Sequence, residues 1–301
     1  MEKTKKESRF KNLMRRIKQK IKKIFKINKH NAPIDSRFKD STVIGLENNK
    51  VVGDIEFINC TIDFRENSGN VIYVPEGEHM VLKNSKLYFK GNNSLLLLRE
   101  NNFSLNADLH NNCTLYIGKD IHINRNLHCI LSEQKSIFIG DDCMFSYGIC
   151  FRNGDAHLLY DALSHKRIND SKSIFLGDHV WVGQDSMILK NSFIGSGAII
   201  GAKSLVTGKT INSNSSWGGV PVRKIKDNVF FLKDCIHKFT DSDTAQYSQS
   251  DNDDFIYSAS ESESSTYPKE IIDFLDSERD MEKRISFLKS LKESKNRFYI
   301  G

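Results

Sequence analysis

The chain has 301 residues, of which 39% are hydrophobic and 27% are charged, and its formal net charge is +6. This composition fits a globular protein with a substantial core. No apolar run approaches the roughly 20 residues that a membrane-spanning helix needs, and the N-terminus lacks the apolar segment of a signal peptide. We therefore expect a cytoplasmic protein without a transmembrane helix or secretory leader, built as one elongated domain with two tails.

Residues 1–32 are predicted to form a basic amphipathic helix. Thirteen Lys and Arg in residues 1–30 face only Glu2 and Glu7, so the rest of the chain is net negative. Apolar side chains follow helical spacing from Phe10 to Phe25. Such a helix either lies on an anionic membrane surface, where each basic residue contributes about 1 kcal/mol, or packs on its own protein or a partner. The first interpretation gives peripheral contact with the inner membrane face; no nucleic-acid partner is predicted.

Residues 33–136 are predicted to form an irregular β-solenoid section. Short runs rich in Ile, Val, Leu, Tyr and Phe are separated by turns rich in Asn and Gly, and the spacing between the runs is loose. The predicted strands are Ile55–Ile58, Val71–Val74, Lys86–Phe89, Leu95–Leu98 and Thr114–Ile117. We interpret them as continuous with the regular repeat that follows, because open coil edges must be covered or continued. A separately folded β domain is the alternative.

Residues 137–230 contain a six-residue repeat. Its apolar anchors are Leu176, Val182, Ile188, Ile194, Ile200 and Val206, and glycine directly follows four of them. A period of six fits neither an amphipathic helix nor simple strand alternation, and it is typical of a parallel β-helix in which three hexapeptides make one coil. A long polar loop, residues 152–173, interrupts the repeat, and long loops on rigid scaffolds often carry function.

Residues 231–301 are predicted as a C-terminal tail. A serine-rich acidic tract with little order runs through Thr266, and a helix begins near Pro268. Its apolar stripe is Ile271, Ile272, Leu275, Met281, Ile285, Leu288 and Leu291. This helix is expected to pair either with the basic N-terminal helix or with its copies in an oligomer.

Six cysteines are scattered along the chain without a Cys-x-x-Cys pair. This spacing predicts buried, reduced thiols and no disulfide framework. The cysteines are Cys60, Cys113, Cys129, Cys143, Cys150 and Cys235.

Two segments carry a resemblance to a known family. LGDHVWVGQDSMILKNSFIGSGAIIGAKSLVTG (Leu176–Gly208) and WGGVPVRKIK (Trp217–Lys226) resemble the catalytic coils of hexapeptide-repeat acyltransferases, most closely the sugar and capsular-polysaccharide O-acetyltransferases. The resemblance implies an all-β, left-handed parallel β-helix, a homotrimer, acetyl-CoA as acyl donor and a carbohydrate acceptor. With the flanking segments, the predicted fold is a β-solenoid with an irregular N-terminal section and helical tails.

The loop NGDAHLLYDALSHKRIN (Asn153–Asn169) supplies the candidate base. The resemblance aligns His157 with the family's catalytic histidine, although Leu158 stands where the family commonly has proline. Acyl transfer to a hydroxyl needs a base that is neutral near pH 7, and histidine suits that role. Asp155 is a candidate to orient His157 through a hydrogen bond. His165 is expected to be a surface side chain.

Two residues of the strict coils are further candidates. Trp181 matches a tryptophan that lines the thioester end of the donor in related enzymes, and ordinary packing is its alternative role. His179 is expected to face outward near the acceptor cleft, either as a participant or as a structural residue.

For the donor, glycines and one alanine leave space for close approach, and basic side chains meet phosphate. The cofactor-binding candidates are Gly183, Gly201, Ala202, Lys203, Gly219, Arg223 and Lys224.

Three other functions are weighed against O-acetylation. A zinc enzyme on this scaffold needs three convergent histidines. His122 and His128 are six residues apart, which puts them on neighbouring faces of a three-sided coil, and no third partner is evident, so no metal site is predicted. A non-catalytic solenoid that only binds or assembles would not cleave a thioester. An N-acyltransferase acting on an amino sugar usually carries a βαβ nucleotide-binding domain in the resembling enzymes, and nothing before residue 100 has that pattern.

Overall fold

The structure is a computed structural model that describes residues 36–259 and 267–301. Arg37–Gly301 form one compact unit. The predicted basic helix and its membrane contact fall outside the described residues. Within those residues, every helix is too short or too polar to cross a bilayer.

The described chain is a parallel β-solenoid of about eight turns. Its strands are β1 (Phe38–Lys39), β2 (Thr42–Ile44), β3 (Lys50–Val52), β4 (Asp54–Ile58), β5 (Thr61–Asp63), β6 (Val71–Tyr73), β7 (His79–Lys83), β8 (Lys86–Phe89), β9 (Leu95–Leu98), β10 (Asn101–Leu109), β11 (Thr114–Ile117), β12 (His122–Ile123), β13 (Asn126–Leu131), β14 (Ser136–Ile139), β15 (Met144–Phe145), β16 (Cys150–Arg152), β17 (Ile174–Leu176), β18 (Trp181–Val182), β19 (Met187–Leu189), β20 (Ser192–Ile194), β21 (Ile199–Ile200), β22 (Leu205–Val206), β23 (Thr210–Ile211), β24 (Ser215–Gly218) and β25 (Arg223–Asp227). Three helices follow: α1 (Asp241–Gln246), α2 (Tyr267–Ser277) and α3 (Met281–Lys289). Two short 3-10 helices span Leu46–Asn48 and Ile236–Lys238.

The strands form three sheets, one on each side of a prism. The first runs β1-β4-β7-β10-β13-β16-β19-β22, and β2, β5 and β8 join it through β10. The second runs β3-β6-β9-β11-β14-β17-β20-β23, and the third runs β12-β15-β18-β21-β24-β25. Among the strands of the described residues, pairing is parallel except in the β24–β25 hairpin, which closes the end of the third sheet. The predicted parallel β-helix is confirmed.

The hexapeptide anchors account for the regular part of this fold. Leu176, Val182, Ile188, Ile194, Ile200 and Val206 are all fully buried in one core. Val182 pairs with Ile200, three hexapeptides further along, so like residues stack in columns from coil to coil. A Cβ at Gly183 would lie 2.5 Å from the backbone nitrogen of Ala202, so this glycine lets the two coils approach.

The outer face of the second sheet is covered by the chain's own C-terminal helices. Tyr116, Phe138 and Phe175 stack along this face with ring centroids 4.4 and 4.9 Å apart, and α2 and α3 lie over them. The buried helix residues are Ile271, Ile272, Leu275, Ile285 and Leu288. The expected pairing of this segment with the N-terminal helix or with oligomer copies is therefore wrong for its apolar stripe, because the second sheet occupies it.

Two details of the tail differ from the sequence prediction. The C-terminal helix is divided in two, and α3 begins at Met281, after the N-cap residue Asp280, whose side chain accepts a hydrogen bond from the Lys283 backbone. The tract expected to have little order contains α1, which begins with a capping box between Thr240 and Asp243. Residues 260–266 of that tract are outside the described ranges.

Buried ion pairs fasten the C-terminal segment to the coils. The Arg297 guanidinium donates to Asp178 and Asp141, with nitrogen–oxygen distances of 2.8 Å to each. The Ser213 hydroxyl accepts a hydrogen bond from the Ile300 backbone at 3.0 Å.

The cysteines are free thiols. Four are buried as expected, Cys150 is half-buried and Cys235 is exposed. Burial raises the pKa of Cys113 to about 11, so this thiol stays protonated at neutral pH.

Candidate active site

The loop of residues 152–173 leaves the first sheet after β16 and returns to the second sheet at β17. Its two arms meet in an antiparallel bridge between Tyr160 and Arg167. The carboxylate of Asp161 accepts hydrogen bonds from the backbone nitrogen and the hydroxyl of Ser164, which closes the tip. His165, expected at the surface, is exposed in this turn. The loop is therefore an ordered hairpin-like projection.

Glu133 fixes the returning arm of the loop. Its two carboxylate oxygens accept hydrogen bonds from Arg167 at 2.5 and 2.9 Å, and one oxygen also accepts from the Ser171 hydroxyl at 2.6 Å. These hydrogen bonds, Arg167 first, lower the pKa of Glu133 to about 2. The carboxylate is thus ionised across the physiological range.

Asn169 fixes the segment that carries His157. Its side-chain amide donates to the backbone oxygen of His157 at 2.7 Å, and its oxygen accepts from the Leu159 backbone at 3.0 Å. The imidazole of His157 is exposed and has no hydrogen-bond partner among the described residues. Its backbone is held while its ring is free to meet a substrate.

Asp155 does not orient His157 as expected. Its carboxylate accepts hydrogen bonds from the Lys190 ammonium at 2.7 Å and from the Asn169 amide at 3.2 Å. The Lys190 hydrogen bond is the main cause of a lowered pKa of Asp155. The predicted Asp155–His157 contact is replaced because Lys190, on the coil below, offers the stronger charged partner.

Several large apolar side chains of the loop are exposed. Leu163 is 92% exposed, and Leu158, Leu159, Tyr160 and Ile168 are each more than half exposed. Such a concentration on one projection is uncommon on a monomer surface and marks a contact site.

Trp181 lies on a different side of the prism from the loop. It stands on β18 of the third sheet, between Met144 and Ile199 in the neighbouring strands, and is 37% exposed. Its ring packs against Phe231 with centroids 5.5 Å apart. Because the loop projects from the corner between the first and second sheets, one chain does not bring His157 and Trp181 together.

The expectation that His179 faces outward is wrong. Its ring is fully buried and stacks between Phe231 and Phe255 at centroid distances of 4.0 and 3.8 Å. Nδ1 lies 2.5 Å from the Asp142 carboxylate, and Nε2 lies 3.0 Å from the Phe231 carbonyl oxygen. Both ring nitrogens are therefore engaged, and neither is available to take a proton from a substrate.

Asp142 completes this buried group. Burial raises the pKa of its carboxyl, but hydrogen bonds from His179 and from Lys233 outweigh burial and lower it overall. His179 therefore fastens the segment that contains Phe231 next to Trp181, which is a structural role.

The cofactor-binding candidates lie near Trp181. Gly183 and Gly201 follow β18 and β21 at the corner between the third and first sheets, with Ala202 and Lys203 exposed beside them. A Cβ at Gly201 would be in ordinary van der Waals contact with the Trp217 carbonyl oxygen at 3.5 Å, so this glycine, unlike Gly183, is not required by a close approach of coils.

The basic candidates lie on the β24–β25 hairpin. Arg223, opposite Gly218, is exposed and has no ion pair among the described residues, while Lys224 lies over the Trp217 ring at 5.8 Å and pairs with Asp227. Gly219 has a φ of +96°, which favours glycine at this turn. Together with Lys203, whose side chain is largely exposed, these residues form an open basic corner able to receive phosphate groups.

A metal centre is not suggested by the geometry. The described part of the chain contains no group of three or more His, Cys, Asp or Glu side chains arranged to hold an ion. The His122 ring instead lies 3.0 Å from the side-chain oxygen of Asn124.

Sequence reasoning missed the residues that hold the site. Asn169 lies in the loop of residues 152–173, but nothing in the sequence assigns it a role. Glu133 precedes the loop, and no motif around it indicates a contact with the loop. Phe231 and Phe255 occur in segments without periodicity. The available signal for Glu133 and Arg167 was only their opposite charge, which does not select a pair from sequence.

No protein-family model matches the chain. Among curated proteins, a polysialic acid O-acetyltransferase from Neisseria meningitidis is 31% identical over 148 residues, covering 48% of this chain and 67% of that protein. A polysialic acid O-acetyltransferase from Escherichia coli O1:K1 / APEC is 30% identical over 104 residues, covering 35% of this chain and 34% of that protein.

Among solved structures, the polySia-specific acetyltransferase NeuO superposes with a TM-score of 0.57 at 22% identity. The superposition covers 70% of this chain and 98% of that one. At this identity the likeness shows the shared solenoid fold.

Proposed function

Because the chain belongs to the hexapeptide-repeat O-acetyltransferases, we propose that it transfers an acetyl group from acetyl-CoA to a hydroxyl of a cell-surface or capsular carbohydrate. The observation that carries the proposal is the exposed imidazole of His157, which has no hydrogen-bond partner in the described part of the chain and lies on a loop whose backbone is fixed by Asn169. The two relatives named above, both described as polysialic acid O-acetyltransferases, support a capsular acceptor.

His157 acts as the general base in this proposal. A neutral imidazole nitrogen accepts the proton of the sugar hydroxyl while the hydroxyl oxygen attacks the thioester carbonyl carbon. The carbon–sulfur bond then breaks, the acetyl ester remains on the sugar, and the imidazolium returns its proton to the leaving thiolate. His179 is excluded from this role because both of its nitrogens are already engaged.

Trp181 and the open basic corner receive the donor. The partly exposed indole offers a flat wall for the acetyl end, while Lys203 and Arg223 are placed to meet phosphate groups. Gly201 carries no side chain at the corner between the third and first sheets, along which the extended arm of the donor runs in this proposal.

The site is completed between neighbouring subunits of a homotrimer. His157 and Trp181 lie on different sides of one prism, so a loop from one subunit has to approach the third sheet of the next. The exposed apolar side chains of the loop provide the contact surface that such an approach needs.

The test is release of CoA thiol from acetyl-CoA with a panel of capsular oligosaccharides. We expect His157→Ala to lower kcat by about 10²- to 10⁴-fold, as for loss of a general base. His165→Ala is the matched control because it removes another exposed histidine of the same loop, and it should turn over like the wild type. Equal rates for His157→Ala and the wild type would refute the assigned mechanism.

A further inference from the structure

A second pocket lies on the outer face of the first sheet, in the irregular N-terminal coils. Its volume is about 420 Å³. Its walls come from β5, β8, β10 and β13 and their connections: Arg65, Lys86, Tyr88, Lys90, Asn106, Asp108 and His128. This pocket shares no residue with the site of His157 and Trp181.

Several of its polar groups have no partner within the described residues. Lys86 and the His128 ring make no hydrogen bond or ion pair within the described ranges, and the side-chain oxygen of Asn106 is buried without a partner. Lys90 pairs with Asp108 at 2.6 Å, so these two charges offset each other. Arg65 has only a distant carboxylate, that of Asp63 at 3.9 Å. The pocket therefore keeps an excess of positive charge and a buried acceptor, which together favour an acidic, hydroxylated ligand.

The pocket is continuous with the strand from which the catalytic loop departs. Asn106 pairs with His128, and His128 pairs with Cys150 of β16. In the neighbouring column Ile130 pairs with Arg152, whose guanidinium donates to the Gly154 backbone oxygen at the base of the loop. Since adjacent strands lie about 4.8 Å apart, the pocket begins within a few strand spacings of the loop.

We propose that this pocket is a secondary binding site for an acidic carbohydrate chain, holding a stretch of the acceptor remote from the acetylated sugar. This inference rests on the proposed function, because it assigns the acceptor as a carboxylated polymer. Lys86 and Arg65 hold carboxylates, and Asn106 accepts a sugar hydroxyl. The half-buried ring of Tyr88 gives an apolar wall beside them.

The experiment compares long and short polysialic acid as acceptors, with dextran as a neutral polymer. The variant Arg65→Gln/Lys86→Gln removes two pocket charges, and Lys289→Gln/Lys292→Gln removes two exposed charges from the C-terminal segment as a control. We expect the pocket variant to raise KM for the long acceptor about tenfold, with kcat and short-acceptor kinetics unchanged. The control should keep the wild-type KM.

Direct binding separates the two proposals. Fluorescence anisotropy with labelled long polysialic acid should show about tenfold weaker binding by the pocket variant, and added salt should reduce the difference. Unchanged binding and KM in the pocket variant would overturn the pocket while leaving catalysis intact. Weaker binding in that variant, with no turnover of any acceptor by the wild type, would sustain the pocket and refute the proposed function.

Discussion

The outer face of the second sheet and the loop of residues 152–173 both display large apolar side chains, yet only one of them is covered. On the sheet, Phe138 is fully buried beneath α2 and α3. On the loop, Leu163 remains almost fully exposed. Within residues 36–259 and 267–301, the chain therefore covers one of these apolar surfaces and leaves the other exposed. Apolar character alone therefore does not distinguish a stabilising face from a functional one. The useful difference is whether other described residues of the chain bury that face.

The strongest test of covered against uncovered surface truncates one aromatic residue of the covered second sheet and one of the open third sheet. Phe138→Ala should lower the free energy of unfolding by about 3–5 kcal/mol, because the fully buried ring contacts two stacked neighbours and leaves a cavity. Trp181→Ala on the open third sheet should cost about 1 kcal/mol or less while abolishing most acetyl transfer. Urea denaturation and CoA release measure the two quantities. A larger loss of stability in Trp181→Ala than in Phe138→Ala would contradict the contrast.

A second prediction concerns the loop of residues 152–173, in which Asn169 is proposed to position His157. Asn169→Ala removes the hydrogen bonds that hold the His157 backbone, so kcat should fall about 10- to 100-fold while KM for acetyl-CoA changes little. Ser164→Ala, at the loop tip, is the control and should keep the wild-type kcat. An unchanged kcat in Asn169→Ala would show that the loop does not need this support.

The smallest effect concerns pH and Glu133. Its pKa falls to about 2 in the folded chain, below the ordinary value of 4.5, so its contribution to stability is present above about pH 4.5 and is lost as pH falls through about 2. Glu133→Gln should therefore lower the urea midpoint at pH 7, and only slightly, because the carboxylate is partly exposed and screened by solvent. At pH 2 the effect should be much smaller, because the wild-type carboxylate is then losing its charge. A difference between the two proteins that grows on acidification would contradict this assignment.

The regular coils were predictable because their information is local and repeated. Each hexapeptide anchor from Leu176 to Val206 is buried, and the predicted strand Leu95–Leu98 occurs with the same limits. A period repeated many times identifies itself without knowledge of distant contacts. The loop of residues 152–173 also stands out in the sequence as a break in this period, while the roles of His157 and Trp181 stay predictions.

The failures involve partners that lie far away in sequence. His179 is buried by Phe231 and Phe255, which come from a segment without periodic pattern. Asp155 is paired by Lys190 on the next coil, which local spacing around His157 does not reveal. The apolar stripe of α2 and α3 is evident from the sequence. The sequence does not indicate which surface the stripe packs against, because the three sheets and an external partner are all candidates. Pairing across coils, unlike repetition along them, requires the folded arrangement.

The segment of residues 267–301 gives this solenoid a property that repeat proteins usually lack. Coils that contact only their neighbours separate one by one from the ends. Here one segment forms hydrogen bonds with several coils. Arg284 donates to Asn93 and Thr114, Arg297 donates to Asp141 and Asp178, and the Ile300 backbone donates to Ser213. Separating a coil that this segment contacts therefore also weakens the segment's contacts with the neighbouring coils. We therefore expect the coils between Asn93 and Ser213 to unfold together rather than one by one, and the scaffold under the loop of residues 152–173 to keep its shape until they do.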